Sequence, residues 1–388
     1  ELFFGLPSDL QVNVVAYLYV PDILNLRQVS KTWLEFITSN ETPISRLFLK
    51  HNPVPCFTVN LYPLPGPSEL DLNYIRRLWH KLAVTSKLST LLADWIATDI
   101  FLRETDRQKQ EFLPQRARII RRLIPILFTI GHFFQTYRHL LVQQILDKEH
   151  PLLPEDYIIN PIERYIMNLY DNKTLLQVHQ VFPVILSCLS RRLRPPSYFG
   201  CLERSLHGYV RRPLPALVLV GLLYIGGMEE VIRISEIETY NSRRAAVDDW
   251  YSAVFRQPID YTHEACRCPV SLFQKKSRQL PSNAVANSSL NQTCNGTPST
   301  GTSPKPSKAF TSSTGEPGNT VPISGSDQPL PPLSAEQARS LLQSLPALKD
   351  IWVPTAEKLL LARQAVDRWQ DIKRVAQVMH ELILADFT

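Results

Sequence analysis

Apolar residues recur every three or four positions through most of this 388-residue chain, and no other feature of the sequence limits its fold as strongly. That is the period of an amphipathic α-helix, whereas strict alternation of apolar and polar residues would indicate a strand. Helical stripes begin near residues 72, 88, 119, 136, 162, 174 and 241. Only Cys56–Val59 and Tyr157–Ile159 favour strands, and both runs are short. The sequence therefore predicts an all-α fold.

Residues 5–36 are rich in apolar side chains for so short a segment. Ser8 and Gln11 have the spacing of a helix-capping box, Asp22 is placed to start a second helix, and Ser30 is placed to cap a third. A chain of fewer than about 40 residues rarely holds its own core without crosslinks, and this segment contains no cysteine. Its apolar surface must therefore be covered by the rest of the chain or by another protein.

Two motifs in this segment closely resemble the F-box family. They are Leu6-Pro7-x-Asp9-Leu10 and Asp22-Ile23-Leu24-x-Leu26-Arg27-x-Val29-Ser30-Lys31-x-Trp33. Asp9 and Val14 are mild departures, because the family usually has Glu and Ile at these positions. The resemblance implies a three-helix F-box that binds the Skp adaptor of cullin–RING (SCF) ubiquitin ligases. Carried over by position, the implied adaptor contacts are Leu6, Pro7, Leu10, Val14, Leu18, Leu24, Val29 and Trp33.

Periodicity alone would also fit three ordinary helices that pack on the rest of the chain. The joint occurrence of the Leu-Pro, Asp-Ile-Leu and Val-Ser-Lys-x-Trp motifs favours the F-box interpretation. Residues 70–260 contain no repeat of fixed period, which argues against the leucine-rich, WD-type and kelch arrays with which many F-box proteins hold substrates. An irregular multi-helical domain is therefore expected after the F-box.

Composition divides the chain into five predicted regions. They are an F-box domain at 1–50, a proline-rich connector at 51–69, a helical domain at 70–270, a linker rich in Ser, Thr, Pro and Gly at 275–333, and a C-terminal helical segment at 334–388. The linker has too few apolar residues to offset its ordering entropy, so we expect it to be disordered. Within the helical domain, Pro213–Met228 is too short and too rich in Pro and Gly for a membrane span, and it is predicted to be buried core.

The C-terminal segment has a helical pattern of its own. Ser334 and Gln337 have the spacing of a capping box, and the apolar positions that follow Pro354 predict one long helix from about Thr355 to Ala385. A helix with so apolar a face should dock on the helical domain or on a partner.

The net charge of +6 is modest for this length and does not by itself indicate nucleic-acid binding. Arg118, Arg121 and Arg122 share one face of a predicted helix and are the candidates for a basic patch. Such a patch would bind an acidic substrate, phosphate or nucleic acid. A solvated face balanced by acidic residues elsewhere is the favoured interpretation.

His263, Cys266 and Cys268 form a metal-like cluster, with Cys294 as a fourth candidate ligand. Zinc sites usually separate paired cysteines by two to four residues, so the Cys-x-Cys spacing favours free thiols. No metal and no other cofactor is therefore predicted. The six cysteines are scattered, which is typical of a reducing compartment and favours the cytoplasm and/or the nucleus.

Two Ser/Thr-Pro sites in the linker, Thr297 and Ser303, are candidates for phosphorylation, although an unmodified linker fits the sequence equally well. The sequence contains no Gly-rich phosphate loop, no G-x-S-x-G elbow and no H-E-x-x-H motif. No membrane partner is predicted, and nucleic acid is the disfavoured partner.

With the resemblance, these observations predict a non-catalytic adaptor that joins an SCF ligase through the Skp adaptor and recruits an unidentified protein substrate. Two alternatives stay open. The first is a scaffold that binds the Skp adaptor outside the ligase. The second is a helical nucleic-acid- or chromatin-binding protein that uses the basic clusters.

Overall fold

The structure is a computed structural model, and it describes residues 3–66, 70–147, 160–194, 214–259 and 333–366 together with the isolated positions 368, 372, 377 and 381. Regular structure in these residues is helical, and they contain no β-strand. The predicted all-α fold is therefore confirmed. The linker at 275–332, the strand candidate Tyr157–Ile159 and the metal-like cluster at 263–294 lie outside the described residues.

The N-terminal region is a bundle of short helices. They are α1 (Ser8–Ala16), α2 (Val20–Val29), α3 (Lys31–Ser39) and α4 (Glu41–His51). The three helices predicted for residues 5–40 are present, and α4 adds a fourth that packs against α1. As predicted, Ser30 caps α3, because its hydroxyl accepts a hydrogen bond from the backbone N–H of Trp33 at 3.3 Å.

The start of α1 differs from the prediction. Pro7 is the N-cap, Ser8 is already the first helical residue, and no side chain caps the helix. The capping box predicted at Ser8 and Gln11 is therefore wrong. Gln11 instead donates a hydrogen bond from Nε2 to the carbonyl of Leu6 at 2.7 Å. A proline N-cap supplies extended backbone at the helix start, which leaves the serine one position too late to cap.

The proline-rich connector contains a one-and-a-half-turn helix, α5 (Cys56–Leu61). The short run Cys56–Val59, which was a strand candidate, is therefore helical. Pro55 precedes the first turn, and the hydroxyl of Thr58 donates to the carbonyl of Pro55 at 2.6 Å, which closes that turn locally. Short apolar runs fit a strand and a buried helical turn equally well, so the pattern could not decide between them.

Long helices form the helical region. They are α6 (Leu72–Trp95), which continues into a π-helical turn (Ile96–Ile100), α7 (Asp106–Glu111), α8 (Leu113–Asp147), α9 (Pro161–Met167), α10 (Asn172–Arg192), α11 (Ala216–Gly221), a second π-helical turn (Leu222–Gly226), α12 (Gly227–Ser235) and α13 (Tyr240–Phe255). The stripes at 72 and 88 belong to the single helix α6, and those at 119 and 136 belong to α8. No Gly or Pro interrupts α6, whereas the longer α8 continues through Pro125 and Gly131.

The core of the helical region is lined by aromatic side chains. Phe133 of α8, Phe182 of α10 and Tyr224 of the second π-helical turn are almost completely buried. The apolar stretch Pro213–Met228 that was predicted to be core is confirmed in part: the residues from Val218 to Ile225 are all buried, whereas Ala216 and Leu217 are exposed. None of the described helices has the length and apolar composition that crossing a membrane requires.

The C-terminal segment completes this core. It comprises α14 (Ala335–Ser344), a 3₁₀ turn (Leu348–Asp350) and α15 (Val353–Ala362). The capping box at Ser334 and Gln337 is confirmed, with both reciprocal hydrogen bonds present. The fully buried indole of Trp352 packs at 4.9 Å between ring centres on Phe133. The C-terminal segment therefore docks on the helical region of its own chain.

One long helix from Thr355 to Ala385 is not present. Helix α15 ends at Ala362, and Gln364 has a left-handed backbone with φ of 53°. The guanidinium of Arg363 donates to the carbonyl of Tyr170 at 2.8 Å, which fixes the helix end against α9 and the residues that follow it. A tertiary contact of this kind leaves no trace in apolar periodicity.

Candidate functional site

The inner side of the N-terminal helices is packed as a small core. Val15, Ile23, Ile37 and Ile44 are essentially inaccessible to solvent. This core also includes Leu72, Ile75 and Leu78 from the first turns of α6. The segment thus receives part of its missing core from the chain that follows it.

The outer side is not covered. Leu10 is 50% exposed, Val14 is 49% exposed and Val29 is 67% exposed. Half of the large apolar side chains that are exposed among the described residues, eight of sixteen, lie between Phe4 and Leu34. Clusters of exposed apolar side chains of this kind mark interaction surfaces.

The eight residues that the resemblance assigned to the adaptor contact are not equally accessible. Leu6, Pro7, Leu10, Val14 and Val29 are exposed, whereas Leu18, Leu24 and Trp33 are half-buried. Leu6 and Pro7 precede α1, and the other six lie on or between α1, α2 and α3. Their roles as contacts stay a prediction, and the exposed five are the stronger candidates.

The Leu6-Pro7 turn is held in place by Gln11, which the sequence analysis assigned to a capping box. Gln11 is only 7% exposed, and its side-chain amide bonds the carbonyl of Leu6. The backbone N–H groups of Leu10 and Gln11 both donate to the carbonyl of Pro7, at 3.0 and 3.1 Å. These bonds fix the direction in which the Leu6 and Pro7 side chains leave the helix start.

Trp33 belongs to a cluster of aromatic rings. Its ring centre lies 4.6 Å from that of Phe3, 5.0 Å from that of Phe4 and 6.1 Å from that of Phe36. Aromatic packing of this kind adds stabilisation beyond the buried area. The cluster orients the indole and leaves Trp33 half-buried, so only part of its surface is open to a partner.

Four exposed apolar residues of this surface were missed by sequence reasoning: Phe4, Tyr17, Tyr19 and Leu34. For Tyr17 a signal was present, because Leu10, Val14 and Tyr17 are spaced by four and three residues and so share one face of α1. Tyr17 also stacks on His51 of α4, with ring centres 4.1 Å apart. We refer to the exposed apolar residues between Phe4 and Leu34 as the outer face.

Two contacts join α4 of the N-terminal helices to α6 of the helical region. The carboxylate of Glu41 accepts a hydrogen bond from the backbone N–H of Leu72 at 2.9 Å. The ring of Phe48 packs edge-on against Trp79, with centres 4.9 Å apart. Because these residues connect α4 to α6, the outer face has a fixed orientation relative to α6.

The arginines of the predicted basic patch lie near the start of α8. Arg121 is exposed, whereas Arg118 and Arg122 are half-buried. Arg122 donates to the backbone carbonyl of Glu381, and Arg121 donates to its own helix at the carbonyl of Ala117, 3.4 Å away. These contacts are structural, and the binding role of the patch stays a prediction. The candidate phosphorylation sites Thr297 and Ser303 lie outside the described residues.

Buried titratable groups of the helical region serve packing. Glu163 of α9 is 1% exposed; it accepts a hydrogen bond from the hydroxyl of Thr355 at 2.6 Å and one from the backbone N–H of Trp352 at 3.4 Å. Burial raises the pKa of Glu163 to about 7, although both hydrogen bonds oppose the shift. The carboxyl thus ties the start of α15 and the C-terminal segment to α9.

His132 of α8 is buried beside Tyr170, with Nδ1 2.8 Å from the tyrosine hydroxyl. Burial, and then the nearby charge of Lys81, lower the pKa of His132 to about 4, so the ring is neutral near pH 7. Among the residues that the structure describes, no three His, Cys, Asp or Glu side chains are grouped so that they would hold a metal ion.

Comparison with known proteins identifies the N-terminal region. The family model of the F-box domain matches residues 3–44. These residues include all of the outer face and all eight of the predicted contacts. No curated protein and no solved structure matches the chain. An F-box domain implies a partnership with the Skp adaptor of SCF ligases. The chain therefore contains an F-box domain, at residues 3–44.

Proposed function

We propose that this chain is a substrate-receptor subunit of an SCF ubiquitin ligase. The F-box domain would dock on the Skp adaptor through the outer face, and the helical region would hold a protein substrate. The observation that carries the proposal is the outer face itself, where Leu10, Val14 and Val29 are about half exposed or more within the matched F-box.

Burial energetics support a stable complex. Complete burial of a Leu or Val side chain contributes about 1.5–3 kcal/mol. Several such anchors exceed the cost of association and of ordering the interface side chains. The chemistry of ubiquitin transfer would belong to other subunits, and this chain would raise the local concentration of substrate lysines near them.

The contacts between α4 and α6 support the second half of the proposal. A receptor must hold its substrate at a defined position relative to the ligase. The Glu41–Leu72 hydrogen bond and the Phe48–Trp79 ring pair fix the helical region to the F-box. A substrate bound to that region would therefore have a defined position relative to the adaptor.

A capture experiment with purified Skp adaptor tests the proposal. The variants Leu10→Glu and Val29→Glu place a charge on the outer face, and we expect them to lose adaptor binding while circular dichroism stays unchanged. Leu113→Glu is the matched control, because Leu113 is a leucine of the helical region with a similar exposure of 53%. Failure of the unaltered chain to capture the adaptor would refute the proposal.

Co-purification of the cullin subunit separates a ligase receptor from a scaffold that binds only the adaptor. We expect the cullin to accompany the adaptor on the unaltered chain and to be absent with Leu10→Glu. Adaptor without cullin would support the scaffold instead. We also place the protein in the cytoplasm and/or the nucleus, which fractionation of cells that express the tagged chain would test.

A further inference from the structure

A cleft with a volume of about 390 Å³ lies between α6, α8 and the segment that joins α11 to α12. Clefts of roughly 300–1,000 Å³ hold small ligands or short peptide segments. Its walls come from Tyr62 after α5 and from residues within 77–85, 128–138 and 223–229. None of these residues belongs to the outer face, so the cleft is separate from the proposed adaptor surface.

Cationic side chains predominate in the cleft. Arg77, Lys81 and Arg138 line it, and Glu229 is the carboxylate among the lining residues. That carboxylate is exposed and pairs with the ring of His80, so it belongs to the rim. Inside the cleft the ammonium of Lys81 lies over the ring of Tyr62, 3.6 Å from its centre. The cleft is therefore complementary to a negatively charged group.

Two buried donors that line the cleft have no acceptor. Nε of Arg138 and the hydroxyl of Tyr224 lack a hydrogen-bond partner among the described residues, and Tyr224 is only 1% exposed. Nη1 of Arg138 donates to the carbonyl of Ile225 at 3.0 Å, which holds the guanidinium in position. Buried polar groups are normally hydrogen-bonded, so these two donors stand out, but both atoms are closed to solvent and a ligand would reach them only if a side chain of the wall moved.

Much of the remaining wall of the cleft is apolar, although Thr85, His132 and Gln135 also line it. Phe128, Phe134, Leu223 and Met228 line it. Gly131 leaves additional space, because a Cβ atom at that position would meet nothing nearer than Cγ of Met228 at 3.9 Å. The cleft thus combines cationic side chains with aromatic and aliphatic ones.

We propose that this cleft binds a short segment of the substrate protein in which an acidic or phosphorylated side chain stands next to a bulky apolar one. The inference rests on the proposed receptor function. A nucleic acid fits less well, because its evenly spaced phosphates need a long cationic stripe, whereas this site is one compact cleft with an apolar wall. Ile75 of the F-box core and Lys81 of the cleft are both on α6, about 9 Å apart along its axis, so bound substrate is held in register with the F-box.

Binding of peptide pools to the purified full chain tests the proposal. The probes are fluorescent degenerate octapeptides with one fixed central residue, which is Glu, phosphoserine or Lys. We expect the Glu pool, the phosphoserine pool or both to bind at least about tenfold more tightly than the Lys pool. Preference for phosphoserine alone identifies a phosphorylated ligand, and binding of the Glu pool identifies an acidic one. Equal binding of all three pools overturns the proposal.

Matched variants connect this binding to the cleft. Arg77→Gln with Lys81→Gln should weaken binding of the preferred pool about tenfold, whereas Arg76→Gln should not, because Arg76 is the neighbouring exposed arginine of α6 and does not line the cleft. Gly131→Leu should block the cleft, and Gly131→Ala should leave binding intact. Binding that survives the double variant overturns the proposal, and so does displacement of the peptides by a single-stranded RNA 20-mer of higher affinity.

Adaptor capture by the same proteins keeps the two proposals distinguishable. If all cleft variants and the unaltered chain capture the Skp adaptor but no peptide pool is preferred, only the cleft proposal fails. If a pool is preferred and the adaptor is not captured, the receptor function fails, and the cleft is left as a peptide-binding site of another kind.

Discussion

The F-box domain and the helical region bury their apolar residues differently, although the same helical period runs through both. In the helical region Phe133, Phe182 and Trp352 meet at the centre of the fold. In the F-box domain Leu10 and Val29 are left in solvent while Ile23 and Ile37 are buried. An apolar stripe therefore predicts a surface that becomes buried, but it does not show whether the chain itself or a partner buries that surface.

The largest expected effect is on the core of the helical region. Phe133→Ala removes a ring that is fully buried, so it should lower the free energy of unfolding by about 3–5 kcal/mol in urea titration. Leu10→Ala on the outer face should change the same quantity by less than about 0.5 kcal/mol. Comparable losses from both variants would mean that the chain itself buries the outer face.

Titration of Glu163 should give the free energy of unfolding a pH dependence that originates in the helical region and not in the F-box domain. Because burial raises its pKa from 4.5 to about 7, the folded state favours the protonated carboxyl. The stabilisation from the protonated carboxyl is complete below pH 4.5 and is lost as the pH rises through about 7. The lost free energy of unfolding is at most roughly 3 kcal/mol. Glu163→Gln should therefore be more stable than the unaltered chain at pH 8 and should lack this part of the pH dependence.

The measurement is urea unfolding of the unaltered chain and of the Glu163→Gln variant from pH 5 to pH 8. The difference between the two curves isolates Glu163, since His132 and His179, whose pKa values burial lowers to about 4, titrate in both proteins. Parallel curves would contradict the assignment of the carboxyl as a group that is neutral when α15 is docked.

Truncation at the outer face should affect binding and leave stability nearly unchanged. Leu10→Ala should weaken capture of the Skp adaptor by about 1–3 kcal/mol, because the side chain is half exposed in the free chain and would be buried in the complex. Calorimetric titration with purified adaptor measures this loss, and Leu113→Ala is the control. Equal affinities for both variants would place the adaptor contact elsewhere on the F-box.

The smallest expected effect compares two serine N-caps, one in the F-box domain and one in the C-terminal segment. Ser30 and Ser334 each accept a hydrogen bond from the backbone N–H three residues later, at 3.3 and 3.2 Å. Replacement of either by Ala should cost about 1 kcal/mol of stability in thermal unfolding. Only Ser30→Ala should also weaken adaptor capture, because it loosens the turn that carries Trp33. Equal effects of the two variants on capture would show that the Ser30 cap has no role in forming the outer face.

Local chemistry alone was enough for the parts of the fold that depend on neighbouring residues. The caps at Ser30 and Ser334 and the buried run from Val218 to Ile225 were predictable because periodicity and capping act within a few residues. The misjudged start of α1 at Ser8 and the strand candidate Cys56–Val59 are also local, because in both cases the preceding proline is the N-cap of a helix, a role that the apolar pattern does not indicate.

What the amino-acid sequence by itself determined is the class of this protein: all-α, with an F-box whose motif residues stand at characteristic spacings. Tertiary structure alone decided which of those residues stay exposed, where α15 ends and how a cleft forms from Arg77, Gly131 and Tyr224. The physical reason is the separation along the chain of the residues that interact. Helix formation and capping are contacts between near neighbours, whereas burial and cleft formation depend on side chains that only the packing of distant helices brings together.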